Sequence, residues 1–160
     1  MYRKILVPLD GSRRAEAILR HVRQLATLFG SEIIFVQVFQ IPHMVDLPRV
    51  EQDAYQSLPK SSRDEMEAQV DAAHGYLQEQ VAAMAADGIS ARERIEYGPI
   101  ATTIMNAATE EEVDLIAMAS HGCSGLEGVF YGSVAEGVLH RVDRPLLIVR
   151  ANDDGSDRCD

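Results

Sequence analysis

Short apolar runs, each handed on to an amphipathic segment of helix length, are the feature that most limits the folds open to this chain. Residues 4–9 are apolar on both faces, as a parallel strand buried between two helical layers must be. Asp10-Gly11-Ser12 turns that run into a segment with Ala15, Ile18, Val22, Leu25, Ala26 and Phe29 on one stripe, and Gly30 stops it. Residues 32–39 form a second β-rich run. Residues 89–97 form a weaker, more polar one that suits a sheet edge, 113–118 a fourth, apolar throughout, and 144–150 a fifth.

Helices are expected between these runs. Ser62 and Glu65 have the spacing of a capping box, opening a long helix whose inward stripe is Met66, Val70, Ala73, Leu77, Val81 and Met84. That helix ends near Asp87-Gly88. Gly98-Pro99 starts another, with Ile100, Ile104 and Ala107 or Ala108 inward. Glu110-Glu111-Glu112 reads as its C-terminal end, where the helix dipole disfavours acids, more than as a site. A last helix begins around Ser133, which with Glu136 repeats the capping-box spacing. Strand–helix alternation predicts an α/β fold: one domain over residues 1–150, an open twisted parallel five-stranded sheet with helices on both faces. Residues 40–60, with Pro42, Pro48 and Pro59, are expected to be an irregular lid or interaction surface. Residues 151–160 are expected to be a polar, disordered tail.

Composition narrows the function. At 160 residues and 46% hydrophobic content the chain can bury a core without disulfide or metal. Cys123 and Cys159 lie far apart, with no Cys-x-x-Cys or His/Cys cluster beside them, so neither a disulfide framework nor zinc is expected. The net charge of −10 repels nucleic acid and anionic membrane surfaces, and no apolar run approaches membrane-spanning length. The first apolar run meets a proline and an aspartate at once, unlike a signal peptide, so a cytoplasmic protein is expected.

Ligands of open α/β sheets collect beyond the carboxyl ends of the strands, where strand order reverses. Two segments are expected there: the end of strand one through Asp10-Gly11-Ser12, and the end of strand four through Met118-Ala119-Ser120-His121-Gly122 and on to Gly132-Ser133. Gly122, Gly125, Gly128 and Gly132 allow close backbone approach, and N–H groups at the start of the following helix can meet a phosphate. The lysine-bearing P-loop pattern is absent.

In these blocks, and in Gly132-Ser133-Val134-Ala135-Glu136 and Arg144-Pro145-Leu146-Leu147-Ile148-Val149, the chain resembles the universal stress protein family over residues 2–150. The resemblance implies a Rossmann-like fold of the adenine-nucleotide α-hydrolase-like type, and a site for ATP, with AMP, ADP and cyclic nucleotides as alternatives, accompanied by Mg²⁺. ATP-binding members carry Gly-x-x-Gly, nine residues, then Gly-Ser or Gly-Thr. Here Gly122, residues 123–131 and Gly132-Ser133 complete the pattern, and Ala119 replaces the first glycine. That methyl would obstruct a turn needing positive φ and crowd a ligand.

By the same resemblance, Pro8, Leu9 and Val38 line the adenine pocket with Met118 nearby, and Asp10 meets the ribose or the phosphates. Gly122, Gly132, Ser133 and Val134 hold the phosphates, and His121 lies beside them. The plainer readings are that Asp10 and Ser12 cap the first helix, that Ser133 caps the last, and that His121 is an exposed loop histidine. The resemblance also implies a homodimer through the fifth strand, whose apolar edge fits such pairing, and an unidentified protein partner. No catalytic set emerges, so no residue is assigned a catalytic role. The reading is a nucleotide-dependent stress-response regulator; its alternatives are a nucleotide-free interaction module and a slow ATP hydrolase or phosphotransferase.

Overall fold

The most apolar strands take the centre of the sheet. In the structure, a computed structural model describing residues 1–40, 59–120 and 131–150, the strands are β1 (Lys4–Pro8), β2 (Glu32–Phe39), β3 (Ala91–Tyr97), β4 (Leu115–Ala119) and β5 (Leu146–Val149). All pair in parallel, in the order β3-β2-β1-β4-β5. The fold is therefore the expected single-domain, Rossmann-like doubly wound sheet, and the polar third strand lies at an edge. Most of the stretch read as a lid, the glycine-rich loop with His121, Gly122 and Cys123, and the tail from residue 151 lie outside the described residues.

Side chains alternate across the sheet and build one core on each face. Ile5, Val7, Ile33, Phe35, Leu115 and Ala117 pack under α1 (Arg13–Glu16), α2 (Leu19–Phe29) and α3 (Lys60–Ala86). Leu6, Ile34, Val36, Ile116 and Met118 pack under α4 (Ile100–Glu110) and α5 (Ser133–Leu139). No described helix is long and apolar enough to cross a membrane.

Two helix starts differ from their sequence reading. The stripe from Ala15 to Phe29 is two helices, because the amides of Ala17 and Ile18 bond three residues back, to Arg14 and Ala15 (3.2 and 3.5 Å), and tighten the turn between them. Gly30 still ends α2 in a left-handed cap at φ +65°. Helix α3 starts at Lys60, ahead of Ser62, with Pro59 at its N-cap and no capping box. Proline has no N–H to satisfy, and its carbonyl accepts the Arg63 amide at 3.1 Å, so the helix begins where φ is already fixed.

The acids at the end of α4 are held by arginines of the edge strand. Arg92 donates to both carboxylate oxygens of Glu111 (3.0 and 2.5 Å) and to Glu32 (3.0 Å). Arg94 donates to Glu111 (2.9 Å), Glu96 and Glu110. Across the same helix end, the Arg144 guanidinium donates to the carbonyls of Ala108 (2.6 Å) and Val113 (3.3 Å), capping α4. These cations offset the unfavourable meeting of acids with a helix C-terminus.

The hydrogen bonds from Arg92 are the largest cause holding the Glu111 carboxyl down to about 2, from an ordinary 4.5; partial burial opposes them and those from Arg94 add to them. A carboxyl depressed by folding contributes stability that is fully present above its ordinary value and is lost as pH falls through the folded one. Glu111→Gln is therefore expected to lower stability at neutral pH. Its deficit against the parent protein should shrink between about pH 4.5 and 2 in urea titrations; a deficit that does not change over that window would contradict the assignment.

Candidate functional site

A proline decides where the sheet opens. Strand β1 pairs with β2 along its whole length, from Lys4–Glu32 to Pro8–Val36, but with β4 only at Ile5–Leu115 and Leu6–Ile116. Successive backbone groups of β1 face alternate neighbours. The Arg3 carbonyl and the Leu9 amide bond to β2 (2.8 and 2.9 Å), whereas the Lys4 carbonyl accepts the Asp114 amide on the β4 side (3.0 Å). The next donor owed to β4 would come from residue 8, and proline has none. The ladder stops, and β1 and β4 part at the point where strand order reverses, the place where such sheets bind ligands.

Between the parted ends lies a cleft of about 200 Å³. Nine of the eleven residues singled out in the sequence line it: Pro8, Leu9, Asp10, Val38, Met118, Ala119, Gly132, Ser133 and Val134. The other two, His121 and Gly122, lie outside the described residues. The remaining walls come from Ala15, Val36, Ile100, Ile104, Ser120 and Ala135. Ile100 and Ile104 were legible in the sequence as inward-facing helix residues, but their periodicity could not say that one turn of α4 borders a cavity as well as the core.

Asp10 occupies the rim, exposed, and is positioned by the turn after β1. Gly11 takes a left-handed conformation at φ +81°, which brings Ser12 back over the aspartate. The Asp10 Oδ1 accepts both the Ser12 amide (3.0 Å) and the Ser12 hydroxyl (2.6 Å), and Ser12 Oγ in turn accepts the Ala15 amide at 3.1 Å. The helix cap is thus Ser12 alone, and Asp10 orients the cap. Behind this turn the Tyr76 phenol is pushed up, first by burial, then by the Glu16 carboxylate, with Asp10 adding to it, so it stays protonated.

Two expectations about the second segment need correction. Ala119 is the last residue of β4, paired with Val149, and it is absent from the described non-glycine residues of positive φ. Its methyl therefore costs no backbone strain, because the position is strand and not turn. At the other end of the loop, the Gly132 amide donates to the Ser120 carbonyl at 2.8 Å. That amide is taken up inside the protein. Gly132 is also the N-cap of α5, with Ser133 one residue inside the helix and no side-chain cap bond, so the Ser133–Glu136 capping box does not form. The α5 amides left without an intrahelical acceptor begin at Ser133 and include Val134.

The cleft is apolar on most of its described wall, with the Asp10, Ser120 and Ser133 side chains as its polar groups. Such a shape accepts a flat apolar group inside and a polar one at the mouth. Among the described residues, no group of three or more His, Cys, Asp or Glu stands together as a metal site would need.

The profile of the Universal stress protein family matches residues 1–150. No curated protein matches the sequence. Among solved structures, the hypothetical protein MJ0577, described as a structure-based assignment of biochemical function, is 27% identical with a TM-score of 0.79, over 96% of this chain and 99% of that one. A universal stress protein in complex with cAMP is 20% identical (TM-score 0.64, 94% and 98% covered). A universal stress protein from Archaeoglobus fulgidus in complex with dAMP is 20% identical (TM-score 0.63, 92% and 97% covered).

Ser12→Ala removes the α1 cap and one of the hydrogen bonds holding Asp10. It is expected to cost about 1 kcal/mol of stability in urea denaturation; an unchanged unfolding midpoint would mean that the turn is held by other contacts.

Proposed function

The chain belongs to the universal stress protein family, and from that membership we propose that it binds an adenine nucleotide in the cleft between β1 and β4 and acts as a nucleotide-dependent regulator in the stress response. The observation that carries the reading is the apolar cleft opened by Pro8, with Asp10 fixed at its rim. The cAMP and dAMP complexes of two relatives in fold support adenine as the base.

A cleft of about 200 Å³ is smaller than the roughly 300–1,000 Å³ that encloses a whole drug-sized ligand. It suits a base with part of its sugar, so the phosphates lie at the mouth. The base packs among Leu9, Val38 and Met118. The Asp10 carboxylate accepts a hydrogen bond from a ribose hydroxyl, and the Ser133 hydroxyl and amide and the Val134 amide face the phosphates. An acidic rim disfavours phosphate unless a cation screens it, which fits ATP bound with Mg²⁺. Asp10 is the one carboxylate on the described wall, so the ion would be held chiefly by phosphate and water, as Mg²⁺ commonly is.

The nucleotide-free interaction module, the alternative, would rest on Ala119 and on segment 40–60. Ala119 lies in extended strand, so its methyl opposes binding only through the room it takes in the cleft. Regulation then passes through assembly in the cytoplasm. We propose a homodimer through β5, because Leu146, Leu147, Ile148 and Val149 leave that edge uncharged, while the opposite edge carries Arg92, Glu93, Arg94 and Glu96. A further protein partner would read the nucleotide state of that dimer.

Isothermal titration with Mg-ATP is expected to give saturable binding. Asp10→Ala should weaken it about 10- to 100-fold, as loss of a charged hydrogen-bond partner does. Absence of binding at millimolar ATP would overturn the reading.

A further inference from the structure

Glycine is the poorest helix former after proline, yet Gly137 lies in the middle of the seven-residue α5. The neighbouring helix accounts for it. A methyl built on Gly137 would stand 2.8 Å from the Cβ of Ala101 on α4, where two carbons need about 3.5–4.0 Å. The two helices approach here more closely than any larger pair of residues permits.

Both residues of this contact lie within one turn of the cleft wall. Ala101 sits between Ile100 and Ile104, and Gly137 follows Val134 and Ala135; those four side chains line the cleft. The far end of α4 is fixed, because Arg144 holds the carbonyls of Ala108 and Val113. The start of α5 is fixed too, through the Gly132 amide on Ser120. Extra bulk at the contact therefore cannot be relieved by sliding the helices along the sheet. On the α4 side the outlet is an outward shift of its first turn, which carries Ile100 and Ile104 and is tied to the sheet only through the Gly98 amide on the Phe39 carbonyl (2.9 Å) among the described bonds.

We infer that the contact of Gly137 with Ala101 sets the width of the cleft, which makes these two positioning residues for the apolar end of the ligand. The identity of that ligand rests on the adenine-nucleotide reading; the spacing itself does not.

The test compares Gly137→Ala with the exchange variant carrying Gly137→Ala and Ala101→Gly, which restores a single methyl at the contact. Adenosine and Mg-ATP are titrated into each, and stability is measured in urea. Gly137→Ala is expected to weaken adenosine and Mg-ATP by the same factor, about tenfold, since packing is lost and phosphate contacts are not. The exchange variant should return both to within about threefold of the parent. A purely structural role would lower stability without this recovery of affinity.

The inference is overturned if a folded Gly137→Ala binds both ligands as the parent does, if the exchange variant stays weak, or if ATP alone is affected. Should Gly137→Ala fail to fold, Ala101→Ser adds one atom to the same contact from the other side and is read in the same way. If the parent binds neither ligand, the nucleotide reading fails by itself. The spacing is then decided by the methyl resonances of Ile100, Ile104 and Val134, which must shift in Gly137→Ala and return in the exchange variant.

Discussion

The ladder between β1 and β4 ends after Leu6–Ile116, and the rest of the site follows from that ending. At a strand-order reversal the crossovers leave on opposite faces and the strand ends are free to part, and a donor at residue 8 would let the pairing run further before they did. Pro8 removes the one donor that would have continued the pairing, on the side facing β4 and not on the side facing β2. The break costs the sheet little, because Leu9 still bonds to Val36 at 2.9 Å and the strand stays anchored on that side. What it creates is a cavity at the only point of the topology where crossover connections leave on opposite faces.

Charge sets what such a cavity can hold. A molecule of net charge −10 repels a polyanion at long range, so a phosphate ligand has to be gained at short range, from burial of its base and from local dipoles. The cleft meets the first requirement with a mostly apolar wall. For the second, among the described residues the Gly132 amide is taken by the Ser120 carbonyl, and the α5 amides from Ser133 onward are the ones that lie at the cleft.

Much of this was legible in the sequence, for identifiable reasons. The pattern of apolar runs located all five strands, because a strand apolar on both faces has few alternatives, and the polar run 89–97, observed as Ala91–Tyr97, announced its own place at the edge. That residues along β1, β2, β4 and the start of α5 would line one cleft was legible because the topology sends strand ends to one place. Local hydrogen bonding was not legible. Ser62 and Ser133 have capping-box spacing, yet Pro59 and Gly132 take the N-cap positions, since cap choice depends on backbone angles that composition does not fix. The fear that Ala119 would be strained assumed a turn where the strand runs one residue further. The division of the first helix at Ala17–Ile18 has no breaker residue to signal it.

The central claim is that the base of an adenine nucleotide sits between the parted ends of β1 and β4. Intermolecular nuclear Overhauser contacts between the adenine ring protons and methyl groups of this protein, labelled at Leu, Val, Ile and Met, test it most directly. Contacts to Leu9, Val38 and Met118 are expected. Contacts confined to methyls away from the cleft, such as Leu25 or Leu147, or none at saturating nucleotide, would contradict it.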